Sequence, residues 1–530
     1  MLDYTSIATM AARGFALLTF EWIIGLLLAS VALSALARRV KVPYPAFLAI
    51  GGMLLAFLPS GPSWALEPKL ALALFVAPVL LDAAFDTSLR DLRNNWLPVS
   101  TLVLVAVGVT TVAVAVVARW LRPDMSWPVA IALGAIVAPP DAAAATAILR
   151  QVKLPYRIQK ILEGESLLND ASSLLIYRVA VGLVTTEHMK VREFVPSLAV
   201  ALLGSLAAGF LLAQVWTMIT RRITEAPSAI ITQFAGTFMA WILAERVGLS
   251  GILTIIAYAI TIARTAPART SARLRVSSYT VWETVLFVLN VLAFMLIGMQ
   301  LRPIWSGLDD DVRFKYCTFA AAILAVVILA RILWVMPYGA FLRALKAHDM
   351  LPPHVIPAVP SLRRGIVISW CGMRGIVTLA AAFALPESFP YRDLILLTAF
   401  AVVFGSLVIQ GLTLRPLIIA LKFDDDNPVA REAAHARSIA FRAALDEIDS
   451  DPSEEAEILR LEYRAVLLRA ETEPDGGVAT SELPADPIRR RAIAAARQAL
   501  LSLRRTEAIG DDAFHQVEEE LDRAELSAEA

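Results

Sequence analysis

Cysteine, histidine and charged residues are all scarce in this sequence. The chain has 530 residues, of which two are cysteine, five are histidine and only 18% are charged. Cys317 and Cys371 fall in separate apolar segments without a CxxC spacing, so the sequence indicates neither a disulfide framework nor a zinc site. The histidines lie in predicted loops and in the C-terminal part of the chain. We therefore predict no transition-metal site, and no cofactor is indicated.

What the sequence has in excess is apolar residues. They make up 58% of the chain, and the mean hydropathy is +0.64. This composition is typical of a polytopic membrane protein in a lipid bilayer. The long apolar runs end near residue 421, after which Asp, Glu and Arg become frequent. We predict a transmembrane domain over 1–421 and a tail over 422–530, and the formal net charge of zero gives no reason to expect a nucleic-acid partner.

A membrane-spanning helix needs about 20 mainly apolar residues. That window predicts about thirteen spans, at 14–37, 43–58, 67–86, 96–121, 127–149, 158–184, 194–220, 228–247, 249–264, 280–301, 315–342, 366–386 and 392–421. Lys and Arg are concentrated in the odd-numbered loops, for example Arg38, Arg39 and Lys41 after the first span. Short cytoplasmic loops carry such an excess. The prediction is an N-terminus outside the cell and a C-terminal tail inside it.

The tail is predicted to be helical, with a role in assembly or regulation. Four amphipathic or charged segments, at about 429–449, 453–470, 486–503 and 511–526, are separated by helix breakers such as Pro452.

Ionisable residues inside predicted spans are the most informative feature of the chain. Such residues are costly in a bilayer and are usually functional. Here they are Asp82, Asp86, Asp141, Glu165, Asp170, Arg331 and Arg374. Acids outnumber bases, so internal pairing does not neutralise them all. We infer that at least one acid holds a proton or a cation.

The sixth span presents several oxygen-bearing side chains on one side. Glu165 and Asn169 are four residues apart, as are Ser166 and Asp170, so on a helix they form two adjacent columns. Carboxylate, hydroxyl and amide oxygens are the ligands that hard cations prefer. Asp170 is also near the middle of its span, where a transporter holds its substrate.

Two spans are predicted to be interrupted. Pro139 and Pro140 precede Asp141 in the fifth span, and two prolines there should break the helix. In the twelfth span Arg374 is flanked by glycines at positions 372 and 375. Interrupted helices in both halves of a chain are typical of an inverted-repeat transporter with its site where they cross. Arg374 is then expected to meet the carbonyl ends of the broken helices.

Arg331 is central to the eleventh span and requires an anionic partner. From the residues alone that partner is either Glu165 or Asp170.

With these segments together, the chain resembles the monovalent cation/proton antiporter superfamily, in the branch of the prokaryotic and eukaryotic sodium/proton exchangers. The resemblance covers about 26–421. Its most specific motif is GESLLNDA at 164–171, supported by APVLLDAAF at 77–85, APPDAAAATAIL at 138–149, the segment around Arg331 and WCGMRGIVTLAAAFALP at 370–386.

The resemblance implies an all-α fold of thirteen spans with two crossed broken helices, assembled as a homodimer. It implies that Asp170 binds cation and proton alternately, that Ser166 helps to coordinate the cation, and that Glu165 pairs with Arg331. It also places Asp82 at the acid of the third-span motif. Many members of the family have Thr-Asp-Pro at the fifth-span break, whereas this chain has Pro-Asp-Ala at 140–142 and lacks the threonine hydroxyl.

The expected activity is electroneutral exchange of sodium, or lithium, for protons across the cell membrane, without enzymatic catalysis. Asn169 beside Asp170, in place of a second aspartate, resembles the electroneutral members of the family. Two alternatives stay open: a potassium/proton antiporter, because one carboxylate does not fix the size of the ion, and a tail-regulated cation channel or sensor.

Overall fold

The structure is a computed structural model, and it describes most of the chain. The described residues are 4–40, 42–58, 67–85, 87–141, 154–185, 191–223, 225–265, 272–350, 361–423, 428–472, 486–505, 517 and 521. The chain divides into two compact units, Met1–Phe423 and Asp424–Ala530.

Helices make up all the regular structure of the described part of the first unit. They are α1 (Tyr4–Val40), α2 (Tyr44–Ala56), α3 (Pro68–Phe85), α4 (Leu89–Asn94), α5 (Trp96–Leu121), α6 (Trp127–Val137), α7 (Tyr156–Thr185), α8 (Val191–Thr220), α9 (Ala226–Arg246), α10 (Gly251–Thr265), α11 (Ala272–Met299), α12 (Leu301–Ser306), α13 (Asp310–Ala347), α14 (Leu362–Trp370), α15 (Ile376–Phe383) and α16 (Arg392–Leu421).

The lengths and outer surfaces of these helices fit a bilayer. Among the described residues, nine helices are long and apolar enough to cross a membrane, and α2, α6 and α10 are shorter apolar helices. Large apolar side chains such as Leu28, Trp120 and Phe314 are exposed on the outside, where hydrocarbon favours them. The predicted all-helical, multi-pass fold is confirmed. The number of thirteen spans stays a prediction, because part of the fifth lies in 142–149, outside the described residues.

The predicted interruptions correspond to real ends of helices. In its described part, 127–141, the fifth predicted span is helical over Trp127–Val137, after which 138–141 lack regular helical structure. The twelfth predicted span consists of two short helices, α14 and α15, separated by the non-helical residues 371–375. Both segments leave backbone groups without partners inside their own helices, so these groups need partners elsewhere.

The helices of the first unit pack as two groups. In the first group α2 packs against α11, and α10 packs against both α8 and α3. The second group contains α5, α6, α7, α13, α14, α15 and α16. Glycine permits the closest approach in the first group, since a Cβ atom at Gly52 would collide with the Met295 carbonyl and one at Gly298 with the Ala49 carbonyl. The candidate site lies within the second group.

The second unit contains α17 (Pro428–Ile448), α18 (Glu454–Thr472) and α19 (Asp486–Arg505). The first two pack together as a hairpin. Phe441 and Tyr463 meet edge to face with ring centroids 5.3 Å apart, and Arg460 donates to the Ile448 carbonyl at the end of α17. Three of the four predicted tail segments are thus helices, while most of the fourth, at 511–526, lies outside the described residues.

Candidate functional site

The two interrupted segments cross and are joined by their backbones. The Asp141 N–H donates to the Met373 carbonyl over 2.6 Å. Asp141 is the last described residue of its segment, and Met373 lies midway between α14 and α15. Two backbone groups released by the helix breaks therefore satisfy each other, which holds the crossing in register.

Arg374 neutralises the helix ends that meet at this crossing. Its guanidinium group donates through Nε to the Val137 carbonyl at 3.0 Å and through Nη2 to the Ala138 carbonyl at 3.1 Å. Its Nη1 donates to the Gly372 carbonyl, just past the end of α14. The carbonyl end of a helix carries partial negative charge, so one buried cation stabilises the ends of both α6 and α14. The Arg374 backbone N–H donates to Ser406 Oγ on α16 at 3.0 Å.

The Asp141 carboxylate lies at the N-terminal end of a helix, α15. It occupies the space directly beside Gly375, where an added Cβ atom would collide with it. Gly375 is the N-terminal cap of α15, so a negative group lies against the positive end of that helix. The side chain of Asp141 is also close enough to Asp170 for their charges to repel. Two neighbouring acids are most stable when one of them holds a proton or a cation.

Replacing Gly375 with alanine is expected to lower the free energy of unfolding by about 1–3 kcal/mol, because the new methyl group overlaps the Asp141 carboxylate. Thermal unfolding of the purified protein measures this. Gly108→Ala on α5 is the matched control, since a Cβ atom there meets nothing within 4 Å. Equal unfolding temperatures for the two variants would contradict the described contact.

Asn169 and Asp170 lie side by side in the continuous helix α7, opposite the break in the fifth span. Asn169 Nδ2 donates to the Pro140 carbonyl at 2.7 Å. Because that partner can only accept, the contact determines which end of the amide is nitrogen. Asn169 Oδ1 is buried and has no hydrogen-bond partner among the described residues. The neighbouring Asp170 is 9% exposed, so the site combines a carboxylate with an uncommitted amide oxygen.

A π-helical segment of α5 supports this part of α7. Residues Thr101–Ala106 form the π-helical turn, and π-bulges frequently occur at functional sites. Ser172 Oγ lies 2.9 Å from the Val103 carbonyl oxygen in that segment and 2.8 Å from the Asn169 carbonyl oxygen, and its hydroxyl group is the donor in both contacts. Ser172 thus ties the stretch that carries Asn169 and Asp170 to α5.

Arg331 and Glu165 form a buried, bidentate ion pair. Arg331 Nη1 donates to Glu165 Oε1 at 2.5 Å and Nη2 donates to Oε2 at 2.8 Å. The two side chains are 4% and 2% exposed. Arg331 Nε donates to the Ile368 carbonyl at 3.0 Å, so this single guanidinium group connects α13, α7 and α14. Both carboxylate oxygens of Glu165 are therefore engaged by Arg331.

The other candidate residues lie around this network. Ser166 is partly exposed on α7, one turn before Asp170, and Asp82 is partly exposed on α3, which packs against α7. Pro139 and Pro140 are buried at the break. Asp86 lies outside the described residues.

Sequence reasoning missed two positioning residues, Ser172 and Ser406. Both are serines in apolar helices, and serine is common in membrane helices because its hydroxyl can bond to its own helix. Ser406 is fully buried and accepts the Arg374 N–H. The only signal in the sequence was a hydroxyl group inside an apolar span, the sixth for Ser172 and the thirteenth for Ser406. Such a signal does not identify the hydrogen-bond partner of either serine.

The arrangement is that of a secondary transporter. It has two interrupted segments crossing within a helical membrane domain, with helix-end charges compensated by Arg374 and Asp141, and a buried carboxylate beside the crossing. The sodium/hydrogen exchanger transmembrane family matches residues 25–420, so the chain belongs to the sodium/hydrogen exchanger family.

Individual relatives agree with this family. The chain is 30% identical to the sodium, potassium, lithium and rubidium/H(+) antiporter of Bacillus pumilus, over 84% of this chain and 69% of the relative. It is 27% identical to the low-affinity Na(+)/H(+) antiporter NhaS1 of Synechocystis, over 83% of each. The structure of the sodium proton antiporter MjNhaP1 from Methanocaldococcus jannaschii matches with a TM-score of 0.59 and 16% identity, over 77% of this chain and 99% of the other. Because the sequence identity is only 16%, this match supports the fold alone.

Proposed function

We propose that this protein exchanges sodium for protons across the cell membrane, with lithium as a second cation, by alternating access around Asp170. The observation that carries the proposal is the pair formed by Asp170 and Asn169 Oδ1. An uncommitted buried acceptor is unfavourable unless something binds to it. A cation held by the Asp170 carboxylate and Asn169 Oδ1 removes that cost and needs only oxygen ligands. Ser166, one turn away, and Asp141 across the crossing complete the proposed binding region, with Asp82 at its edge.

The exchange follows from competition for one carboxylate. A buried carboxylate without a counter-charge is costly in a membrane, so Asp170 is stable when it holds either a proton or a cation. If only these two loaded forms reorient, the cation and the proton must move in opposite directions. Glu165 takes no part in this competition, because Arg331 already neutralises it.

The proposed stoichiometry is one cation for one proton. Asp170 has an amide neighbour, Asn169, on its own helix in place of a second acid. One exchanging carboxylate carries one positive charge in each direction, so the cycle moves no net charge across the bilayer.

Assembly and orientation are proposed from the family and from the distribution of charge. The proposed state is a homodimer in the cell membrane with the N-terminus outside and the tail, 422–530, in the cytoplasm. Its cellular role is pH homeostasis by transport, without a catalysed reaction. The excess of Lys and Arg in the odd-numbered loops supports the orientation.

The test is dissipation of a pH gradient in everted vesicles after the addition of sodium, lithium or potassium. Sodium and lithium are expected to release the gradient and potassium to have little effect. With purified protein in liposomes, clamping the membrane potential at different values should leave the sodium-driven rate unchanged, because electroneutral exchange moves no net charge.

Two other results would point to the alternatives. A response to potassium equal to or greater than that to sodium would indicate a potassium/proton antiporter, an outcome to which the missing threonine hydroxyl at position 140 is relevant. Voltage-driven cation flux without proton movement would indicate a channel. Either result overturns the proposed sodium/proton exchange.

A further inference from the structure

An apolar crevice opens between helices of the second group. Its walls are Leu97 and Thr101 of α5, Ile161 of α7, Trp334 and Tyr338 of α13, with further residues of these helices and of α14. Almost all of its lining is apolar.

Aromatic and helical packing shapes the crevice. Trp334 and Tyr338 stack one turn apart on α13, with ring centroids 5.7 Å apart and planes 11° from parallel. Tyr338 and Thr101, which lies in the π-helical turn of α5, both line the crevice. The crevice therefore presents mainly hydrocarbon and ring faces. Its natural occupant is therefore apolar.

Basic side chains gather at one end of this crevice. Arg157 lies one helical turn before Ile161 on α7, and Arg364 lies one turn before Ile368 on α14. Residues four apart lie on the same face of a helix. Each arginine is therefore on the same face as a lining residue, one turn closer to the N-terminus of its helix. Lys346 lies one turn after the lining residue Leu342 on α13, and it is exposed there.

The two arginines form a like-charged pair. Arg157 and Arg364 are both partly buried and close enough for their charges to repel. Arg157 Nε donates to the neutral Asn95 side chain at 2.9 Å. Within the described part of the chain, neither arginine forms an ion pair with a carboxylate. The nearby Asp91 accepts from the Tyr156 hydroxyl at 2.6 Å and lies 4.0 Å from Arg90 Nε. Partly buried like charges are stabilised by an anion between them.

We propose that this crevice binds an anionic phospholipid of the host membrane, with an acyl chain between α5 and α13 and its phosphate at Arg157 and Arg364. The basic pair supplies the charge that recognises the phosphate, since guanidinium groups bind phosphate through paired hydrogen bonds. The apolar walls begin one helical turn from this pair, at Ile161 and Ile368. A free phosphate would use only the first of these two features, whereas a phospholipid uses both.

The site has a structural connection to the proposed exchange machinery. Ile368 lines the crevice, and its carbonyl accepts from Arg331, the partner of Glu165. An acyl chain packed on Ile368 would therefore support the part of α14 that positions Arg331.

Native mass spectrometry of the purified protein tests the proposal. Phosphatidylglycerol and phosphatidylcholine with identical acyl chains are the probes, and inorganic phosphate is a competitor. The wild type is expected to retain phosphatidylglycerol in preference to phosphatidylcholine, and millimolar phosphate should not displace it. Arg364→Gln is expected to reduce retention about fivefold, corresponding to about 1 kcal/mol for one basic group.

Arg363→Gln is the matched control, because it removes an adjacent, exposed arginine whose described contact is to the Lys422 carbonyl at 3.4 Å. It should retain the lipid as the wild type does. Leu97→Trp, which places a larger side chain at a lining residue of the crevice while leaving both arginines, should also reduce retention, so the proposal does not depend on one variant folding. Equal retention by the Arg363 and Arg364 variants, equal retention of the two lipids, or displacement by phosphate would each overturn the site. None of these readouts depends on ion exchange.

Discussion

Asp170→Asn is expected to abolish cation-driven proton movement, leaving vesicles at the background rate of membranes that lack the protein. Asparagine has nearly the same shape as aspartate, so the packing of α7 is retained, but its amide neither releases a proton nor offers a negative charge to a cation. The acid on the same helix, Glu165, does not take over, since Arg331 holds both of its oxygens.

Two controls separate loss of chemistry from loss of protein. Asp311→Asn makes the same substitution at an exposed acid in the first turn of α13 and should leave the rate unchanged. Amounts of protein and unfolding temperatures of both variants should match the wild type, and the rate is measured by dissipation of a pH gradient on addition of sodium. Substantial activity in Asp170→Asn would remove Asp170 from the exchange site and with it the proposed competition.

Glu165→Gln is expected to destabilise the membrane domain by about 3–5 kcal/mol, because it leaves the Arg331 guanidinium group buried without a counter-charge. The side chain of Arg331 is only 4% exposed, so water does not replace the lost carboxylate. A lower unfolding temperature of the purified protein is the measurable result. Glutamine has nearly the shape of glutamate, and its amide oxygen can still accept a hydrogen bond from Arg331, but it carries no negative charge.

A second acid on the same helix provides the comparison. Glu163 pairs with Lys160 at 2.7 Å, and the two side chains are 30% and 18% exposed, so Glu163→Gln should cost no more than about 1 kcal/mol. The double variant Glu165→Gln with Arg331→Gln should be less destabilised than the sum of its single variants, since it leaves no unpaired charge. Additive losses would show that the two side chains do not stabilise each other as a pair.

The extent of the helices was largely predictable, because apolar length is a property of the chain itself. The predicted span at 392–421 coincides with α16, and the one at 158–184 with α7 to within two residues at its start. The π-helical turn Thr101–Ala106 was not predicted. Its pairing partner, Ser172 of α7, is distant in sequence, and no local pattern specifies such a partner.

The candidate site, like the helices, could be predicted from the sequence only in part. Asn169 and Asp170 were found because they are charged or polar residues within one apolar helix, and their spacing alone places them near Ser166 and Glu165. The break at Pro139 and Pro140 follows from proline chemistry. By contrast, the residues leave two partners open for Arg331, and the folded chain places it on Glu165.

The sequence by itself determined where the membrane helices run, where two of them are interrupted and which acids lie within them, since these depend on hydropathy, on proline and glycine, and on helical spacing. Only the tertiary structure decided the contacts across the crossing: Asn169 with Pro140, Arg374 with Val137 and Ala138, and Asp141 beside Gly375. These pairs are separated by many residues, and they form because backbone groups released by each break are buried where only the other segments can satisfy them.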